Sequence, residues 1–170
     1  MTDYDKIISF ESLFEAHMSA RKHKRYKREV MAFEADLAHN LWGLHSRLSD
    51  KTYEIGGYHH FTVHDPKTRD IQALSYSDRV VQHSICDNVL GSEIDRRLIY
   101  DNAACRRGKG THFALDRLKN FWRAHYRNHG TQGYFLKADI AKFFEGIDHE
   151  VLWEKLKRCA LCPDTQRLLK

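Results

Sequence analysis

Apolar residues recur at helical spacing through two N-terminal stretches. Ile7, Phe10, Leu13, Phe14 and Met18 predict a first amphipathic helix over 7–20. Val30, Phe33, Leu37, Leu41, Leu44 and Leu48 predict one long second helix over 26–48 that packs a single stripe inward. Gly56-Gly57 ends that periodicity, and the pattern changes to two short strands, 58–63 and 69–74, joined by a turn containing Pro66. Ser77 or Asp78 is expected to cap a third helix reaching about residue 98, with Val81, Ile85, Val89 and Ile94 buried. After a loop over 100–112, Thr111 is the expected cap of a helix with Leu115, Leu118, Trp122 and Tyr126 inward. Tyr134, Leu136, Ala138 and Ile140 then alternate with Phe135, Lys137 and Asp139. That period of two predicts a strand with its first set packed and Asp139 projecting from the other face at its end. Asp148 is the expected N-cap of a last helix carrying Ile147, Val151, Leu152 and Leu156.

Composition narrows the class. With 170 residues, 42% apolar and 30% charged, the chain is able to bury one core and lacks the low hydrophobicity of a disordered protein. No apolar run approaches the ~18 residues of a membrane span, and the acidic, polar start Met1-Thr2-Asp3-Tyr4-Asp5 is the wrong chemistry for a signal peptide. A cytoplasmic protein with no membrane partner is expected. Cys86, Cys105, Cys159 and Cys162 are too scattered for a disulfide framework, so reduced thiols are expected, the Cys159-x-x-Cys162 pair being structural. The histidines show no metal-ligand spacing.

Charge points to a polyanion. The net charge is +5, and the positives cluster in Arg21-Lys22-His23-Lys24-Arg25-Tyr26-Lys27-Arg28, in Arg96-Arg97 and in Arg106-Arg107-Gly108-Lys109. The loop ending at Thr111 is glycine-rich and cationic at a helix start, a setting that suits phosphate. It is not a Walker loop, because Gly108-Lys109-Gly110-Thr111 lacks the Gly-Lys-[Ser/Thr] ending.

Four blocks, in order, carry a resemblance. They are Phe61-x-Val63-x-Asp65-Pro66-Lys67-x-Arg69-x-Ile71; Asp78-Arg79-Val80-Val81-Gln82; the R-x-G-[KR]-[GS]-x-H-x-A pattern over 106–114; and the strand ending in Asp139, with Phe143-Phe144 and Asp148-His149 beyond it. Together they resemble bacterial reverse transcriptases of the group-II-intron-like and diversity-generating-retroelement-like lineage, over about residues 53–156. The resemblance implies an α+β fold of an incomplete right-hand polymerase: an N-terminal helical segment over 1–57, fingers over 58–129, and the start of a palm sheet over 130–170. It also implies an RNA-directed DNA polymerase that adds dNTPs to a DNA primer on an RNA template.

Its site residues follow by position. Asp139 would be catalytic and would bind Mg²⁺ with the backbone of Ile140 nearby, two such ions serving the complete enzyme. Lys67 and Arg69 would grip the dNTP triphosphate, and Phe144 would exclude a ribose 2′-hydroxyl, Phe143 turning to the core. Arg106, Arg107 and Lys109 would lie along nucleic acid; Arg79 either does so or pairs with Asp78, which is read as structural.

The sequence departs from the family in one respect: it contains no Tyr-x-Asp-Asp and no Asp-Asp pair. Two metals about 3.5–4 Å apart need several bridging carboxylates, so this chain reads as half a site, inactive alone. A truncated gene or an excised fragment is the simplest account, with the remaining palm and thumb supplied in cis or in trans. Two other classes stay open: a non-catalytic RNA-binding fragment, and a metal-dependent nuclease pairing Asp139 with Glu145. Within the family, an intron enzyme, a diversity-generating retroelement, a retron and an antiphage enzyme are not separated.

Overall fold

A computed structural model describes residues 1–159 and 161–170. It is mixed α+β, with a helical majority and one two-stranded antiparallel sheet among the described residues. The chain divides into two compact units, Met1–Glu93 together with 161–170, and Ile94–Cys159.

In the first unit the first predicted helix is two, α1 (Asp3–Ile8) and α2 (Phe10–Ala20). Ser9 stands between them with extended ψ, ending α1 and capping α2 by accepting from Ser12 N at 3.1 Å. A serine oxygen that satisfies a free N–H offers the backbone a local alternative to continuing the helix. The second predicted helix is also two, α3 (Arg28–Ala35) and α4 (Leu37–Ser49), broken at Asp36 with φ −135° and ψ 56°. Asn40 Nδ2 donates to the Phe33 carbonyl at 3.0 Å and so satisfies an acceptor near the break. The hydrophobic stripe runs on across the break, and Val30, Phe33, Leu41, Leu44 and Leu48 are all buried. Periodicity reports the buried face and does not detect a one-residue kink.

The hairpin forms within a residue of its expected limits: β1 (His59–His64) pairs with β2 (Thr68–Ala73), with Phe61 opposite Ile71 and Val63 opposite Arg69. Every β1 residue is exposed. The next helix begins earlier than expected. Ser75, not Ser77 or Asp78, is the N-cap of α5 (Tyr76–Ile85), which continues as a π-helical turn over Cys86–Leu90 and then α6 (Gly91–Asp95). Val81, Ile85 and Val89 are buried as expected, whereas Ile94 is exposed. At Gly91, a Cβ would stand 2.7 Å from the Cys86 carbonyl oxygen, so the wider π turn is compatible there with glycine alone.

Asp78 is nearly fully buried and accepts from three donors in two segments. Its Oδ1 accepts from Tyr53 OH at 2.7 Å, and its Oδ2 accepts from Ser75 Oγ at 2.7 Å and from Gly56 N at 3.2 Å. Burial, and then the adjoining carboxylate, push the Tyr53 phenol well above its ordinary value, so it donates as a neutral group. A Cβ on Gly56 would lie 3.0 Å from Asp78 Oδ2, which explains a glycine at this approach.

Deeper in the core His17 is completely buried. Its ring stacks on Phe33 at 5.5 Å between centroids, and its Nδ1 lies 3.0 Å from Tyr76 OH. Burial, with Glu34 pulling the other way and Arg21 adding to it, holds the imidazole below its usual value. The Tyr76 hydroxyl is pushed up to about 12 by burial and then by the charge of Glu34. Ser84 Oγ donates to the Ile7 carbonyl at 2.6 Å and Tyr4 OH to the Leu48 carbonyl at 2.7 Å, tying α5 and α4 to α1. α9 (Pro163–Leu169) joins this unit through Lys51–Asp164 at 2.6 Å and the Asp3 carboxylate, which accepts from Cys162 N.

Asp78→Ala is expected to destabilise the first unit by about 2–4 kcal/mol, since three partly buried hydrogen bonds to a buried acceptor are lost at once; urea unfolding measures it, and an unchanged midpoint contradicts the assignment. His17 gives a pH dependence of definite sign. Below about pH 6.5 the unfolded chain binds a proton that the folded chain refuses, so stability falls as pH is lowered and levels off below the depressed folded value. Comparing unfolding free energies at neutral and mildly acidic pH should show a shallower fall in His17→Leu than in wild type.

Candidate functional site

The second unit contains α7 (Thr111–His129) and α8 (His149–Lys157). Gly110, at φ 153°, occupies the cap position of α7, and Thr111 is already helical. Neither Leu115, Trp122 nor Tyr126 is buried, contrary to the predicted inward stripe. Asp148 caps α8 as expected, its Oδ1 accepting from Glu150 N and Val151 N at 2.8 and 3.1 Å. Val151 and Leu152 on that helix are nonetheless exposed.

The segment 132–140 is not a strand. Its predicted apolar face is open to solvent, Leu136 being 88% exposed and Ile140 68%. Alternation marks which residues would share a face, but a strand also needs a neighbour for its N–H and C=O groups. The only paired strands among the described residues are β1 and β2. The contact that does form uses the opposite set: Phe135 meets Trp122 edge-to-face with centroids 6.3 Å apart. His125 Nε2 lies 2.7 Å from the Gln132 carbonyl oxygen beside it. Leu118, Phe121, Trp122 and His125 line a groove with Thr131 and residues 133–135. A Cβ on Gly133 would come within 2.6 Å of His125 Nε2, so a side chain there would displace the His125 ring from its place beside Gln132.

Asp139 is exposed, and its Oδ1 accepts from the next amide, Ile140 N, at 3.0 Å. Beyond it, turns run from Lys142, at φ 50°, to Gly146, whose N donates to the Lys142 carbonyl at 3.0 Å. Phe143 and Phe144 contact each other at 5.5 Å, but Phe143 is 52% exposed and Phe144 86%. The expected inward turn of Phe143 is absent: both rings stand open, in contact with each other. Glu145 is ion-paired with Lys142 at 3.6 Å on the surface. No group of three His, Cys, Asp or Glu side chains able to hold a metal occurs among the described residues. Asp139 alone does not fit a two-metal centre.

The predicted cations have different surroundings. In the first unit, Lys67 sits at the hairpin tip and Arg69 on β2, both exposed. Arg79 is partly buried and already engaged, paired with Glu29 and with its guanidinium 5.6 Å over the Tyr76 ring. In the second unit, Arg106 forks onto Asp95 and also donates to the Ile99 carbonyl at 2.9 Å, bracing the loop before α7. Its hydrogen bond draws the Asp95 carboxyl below the usual range. Lys109 donates to the Tyr100 carbonyl and lies over the Tyr100 and Phe113 rings, at 4.2 and 4.7 Å. Arg117, paired with Asp101, covers the Tyr100 and Phe121 rings. Arg107 is exposed and forms no ion pair with another described residue.

These braces were missed in the sequence because the ion-pair partners of Arg79, Arg106 and Arg117 lie 11 to 50 positions away; the spacing of Phe113, Arg117 and Phe121 along one helix face, with Tyr100 in the loop before it, was the available signal. No helix among the described residues is long and apolar enough to cross a membrane. No family model and no curated protein sequence matches the chain.

Gly133→Ala is expected to displace the His125 ring from the Gln132 carbonyl and loosen residues 133–135 against α7. With Trp42 and Trp153 replaced by Phe, Trp122 emission should shift to the red; unchanged emission would contradict the close approach.

Proposed function

We propose that the chain is the fingers and first palm portion of a cytoplasmic RNA-directed DNA polymerase, incomplete as a catalyst by itself. The observation that carries this reading is the order of four motif blocks, from the Lys67–Arg69 hairpin through Asp78–Gln82 and 106–114 to Asp139 and Asp148. The fold supports it to the extent that a hairpin with an exposed cation at its tip follows N-terminal helices and precedes a long helix.

In this reading Lys67 acts as a point charge and Arg69 as a two-pronged donor to triphosphate oxygens. Asp139 supplies one carboxylate of a set completed by residues from another segment or polypeptide, and the Ile140 backbone lies beside it. Mg²⁺, bound by such a complete set, would neutralise charge on the transferring phosphoryl group. The partners are an RNA template, a DNA primer and dNTPs. Phe144 stands where the sugar of the nucleotide would pass; a ring that collides with a 2′-hydroxyl discriminates by repulsion. Of the proposed nucleic-acid contacts, Arg107 is available as it stands, while Arg79, Arg106 and Lys109 would first exchange the partners they hold.

The purified chain with Mg²⁺, dNTPs and a primed RNA template should give no extension; synthesis would refute the half-site reading. Residues 53–156 grafted in place of the matching part of an active bacterial reverse transcriptase should restore synthesis. Asp139→Ala should abolish it, and Phe144→Ala should raise rNTP use relative to dNTP. A folded but inactive chimaera would overturn the assignment.

A further inference from the structure

We infer that the loop between α2 and α3 is a docking surface for single-stranded nucleic acid, separate from the contacts proposed above. The inference stands on the first unit alone and does not use the polymerase reading. Lys22, Lys24, Arg25, Lys27 and Arg28 are all exposed, and none forms an ion pair with another described residue. The acids nearest in sequence are already engaged. Glu34 pairs with Arg21, and Glu29 pairs with Arg79 from α5. Five positive charges in seven positions therefore stand without local compensation, and the structure retains them against their mutual repulsion.

The loop is also ordered before any partner arrives. Lys22 N donates to the Ser19 carbonyl at 3.2 Å, Lys24 N to Arg21 at 2.9 Å, and Lys27 N to Lys24 at 2.9 Å, so successive turns carry the chain across. His23 takes up the left-handed bend at φ 63°. Buried Ala20 and Val30 anchor both ends, and the Arg21–Glu34 pair joins the end of α2 to α3. A backbone held this way has little freedom left to lose on binding, and the ordering cost falls on the Lys and Arg side chains.

Tyr26 selects among polyanions. It lies in the middle of the cations, 78% exposed, and it borders a shallow surface with Lys27, Arg28, Glu29 and Ala32. An aromatic platform within a cationic track is the combination that binds unpaired bases and their phosphates together. The stretch Arg21-Lys22-His23-Lys24-Arg25-Tyr26-Lys27-Arg28 contains no aliphatic residue to bury in a bilayer. Single-stranded nucleic acid uses both features, the charges on phosphate and the ring on a base.

Fluorescence anisotropy of a labelled, mixed-sequence single-stranded oligonucleotide, RNA and DNA in parallel, tests this with the full chain across a KCl titration. Replacing Lys22, Lys24, Arg25, Lys27 and Arg28 together with Gln should reduce the log–log salt slope by about 3 to 4, at ~0.7 per lost phosphate contact. Tyr26→Ala should weaken binding about tenfold with the slope unchanged. If the five-site variant does not melt like wild type, K22Q/K24Q and K27Q/R28Q should each remove about 1 to 1.5 of slope. A wild-type slope in the folded variants overturns the proposal. So does a silent Tyr26→Ala combined with equally tight binding to phosphatidylserine vesicles, which would identify a surface that reads charge alone. Neither result depends on primer extension, so this inference and the polymerase reading fail separately.

Discussion

A buried carboxylate with three donors sets the geometry of the first unit. Asp78 accepts from Tyr53 and Gly56 in the segment between α4 and β1 and from Ser75 at the start of α5. An ionised carboxylate out of water is costly unless its lone pairs are occupied. The reverse also holds, because donors brought to it and then abandoned are costly in turn. The segment leaving α4, the approach to the hairpin and the first turn of α5 are thereby held to one another. Gly56 is part of the same constraint, since a side chain there would press on Asp78 Oδ2.

The same economy of acids governs which cations remain for a partner. Glu29 holds Arg79, Glu34 holds Arg21, Asp95 holds Arg106 and Asp101 holds Arg117. Lys109 is occupied by a carbonyl and two aromatic rings. Formal charge in the sequence is therefore a poor measure of available charge. After these pairings, the α2–α3 loop has the densest uncompensated run, and Lys67, Arg69 and Arg107 remain exposed as well. The buried arginine Nε atoms of Arg21 and Arg79 lack hydrogen-bond partners, a cost consistent with structural pairing of their other nitrogens.

The second unit shows what an amphipathic pattern becomes without an opposing layer. α7 and α8 form, because a helix satisfies its own backbone and an aspartate cap completes α8. None of their apolar residues is buried, and Leu115, Phe121, Trp122, Tyr126, Val151 and Leu152 stay exposed. The segment carrying Asp139 has the alternation of a strand and lacks a ladder, and it meets α7 through Phe135 on Trp122. The acid at its end is left with one hydrogen bond from its own neighbour.

From the sequence alone, the α+β class, the hairpin, the buried stripes of the N-terminal helices and the Asp148 cap were legible. Each depends on residues close in the chain, through a period, a turn residue or a capping side chain. The breaks at Ser9 and Asp36 were not legible, because the hydrophobic face continues through them and only backbone angles change. The roles of Arg79, Arg106 and Lys109 were decided by tertiary structure: their partners come from other turns of chain, and a cation binds whichever acid or ring the fold delivers. Asp139 divides between the two. Its place at the end of an alternating segment is a property of the sequence, whereas a metal centre needs carboxylates converging from several elements, and that convergence only a tertiary structure supplies.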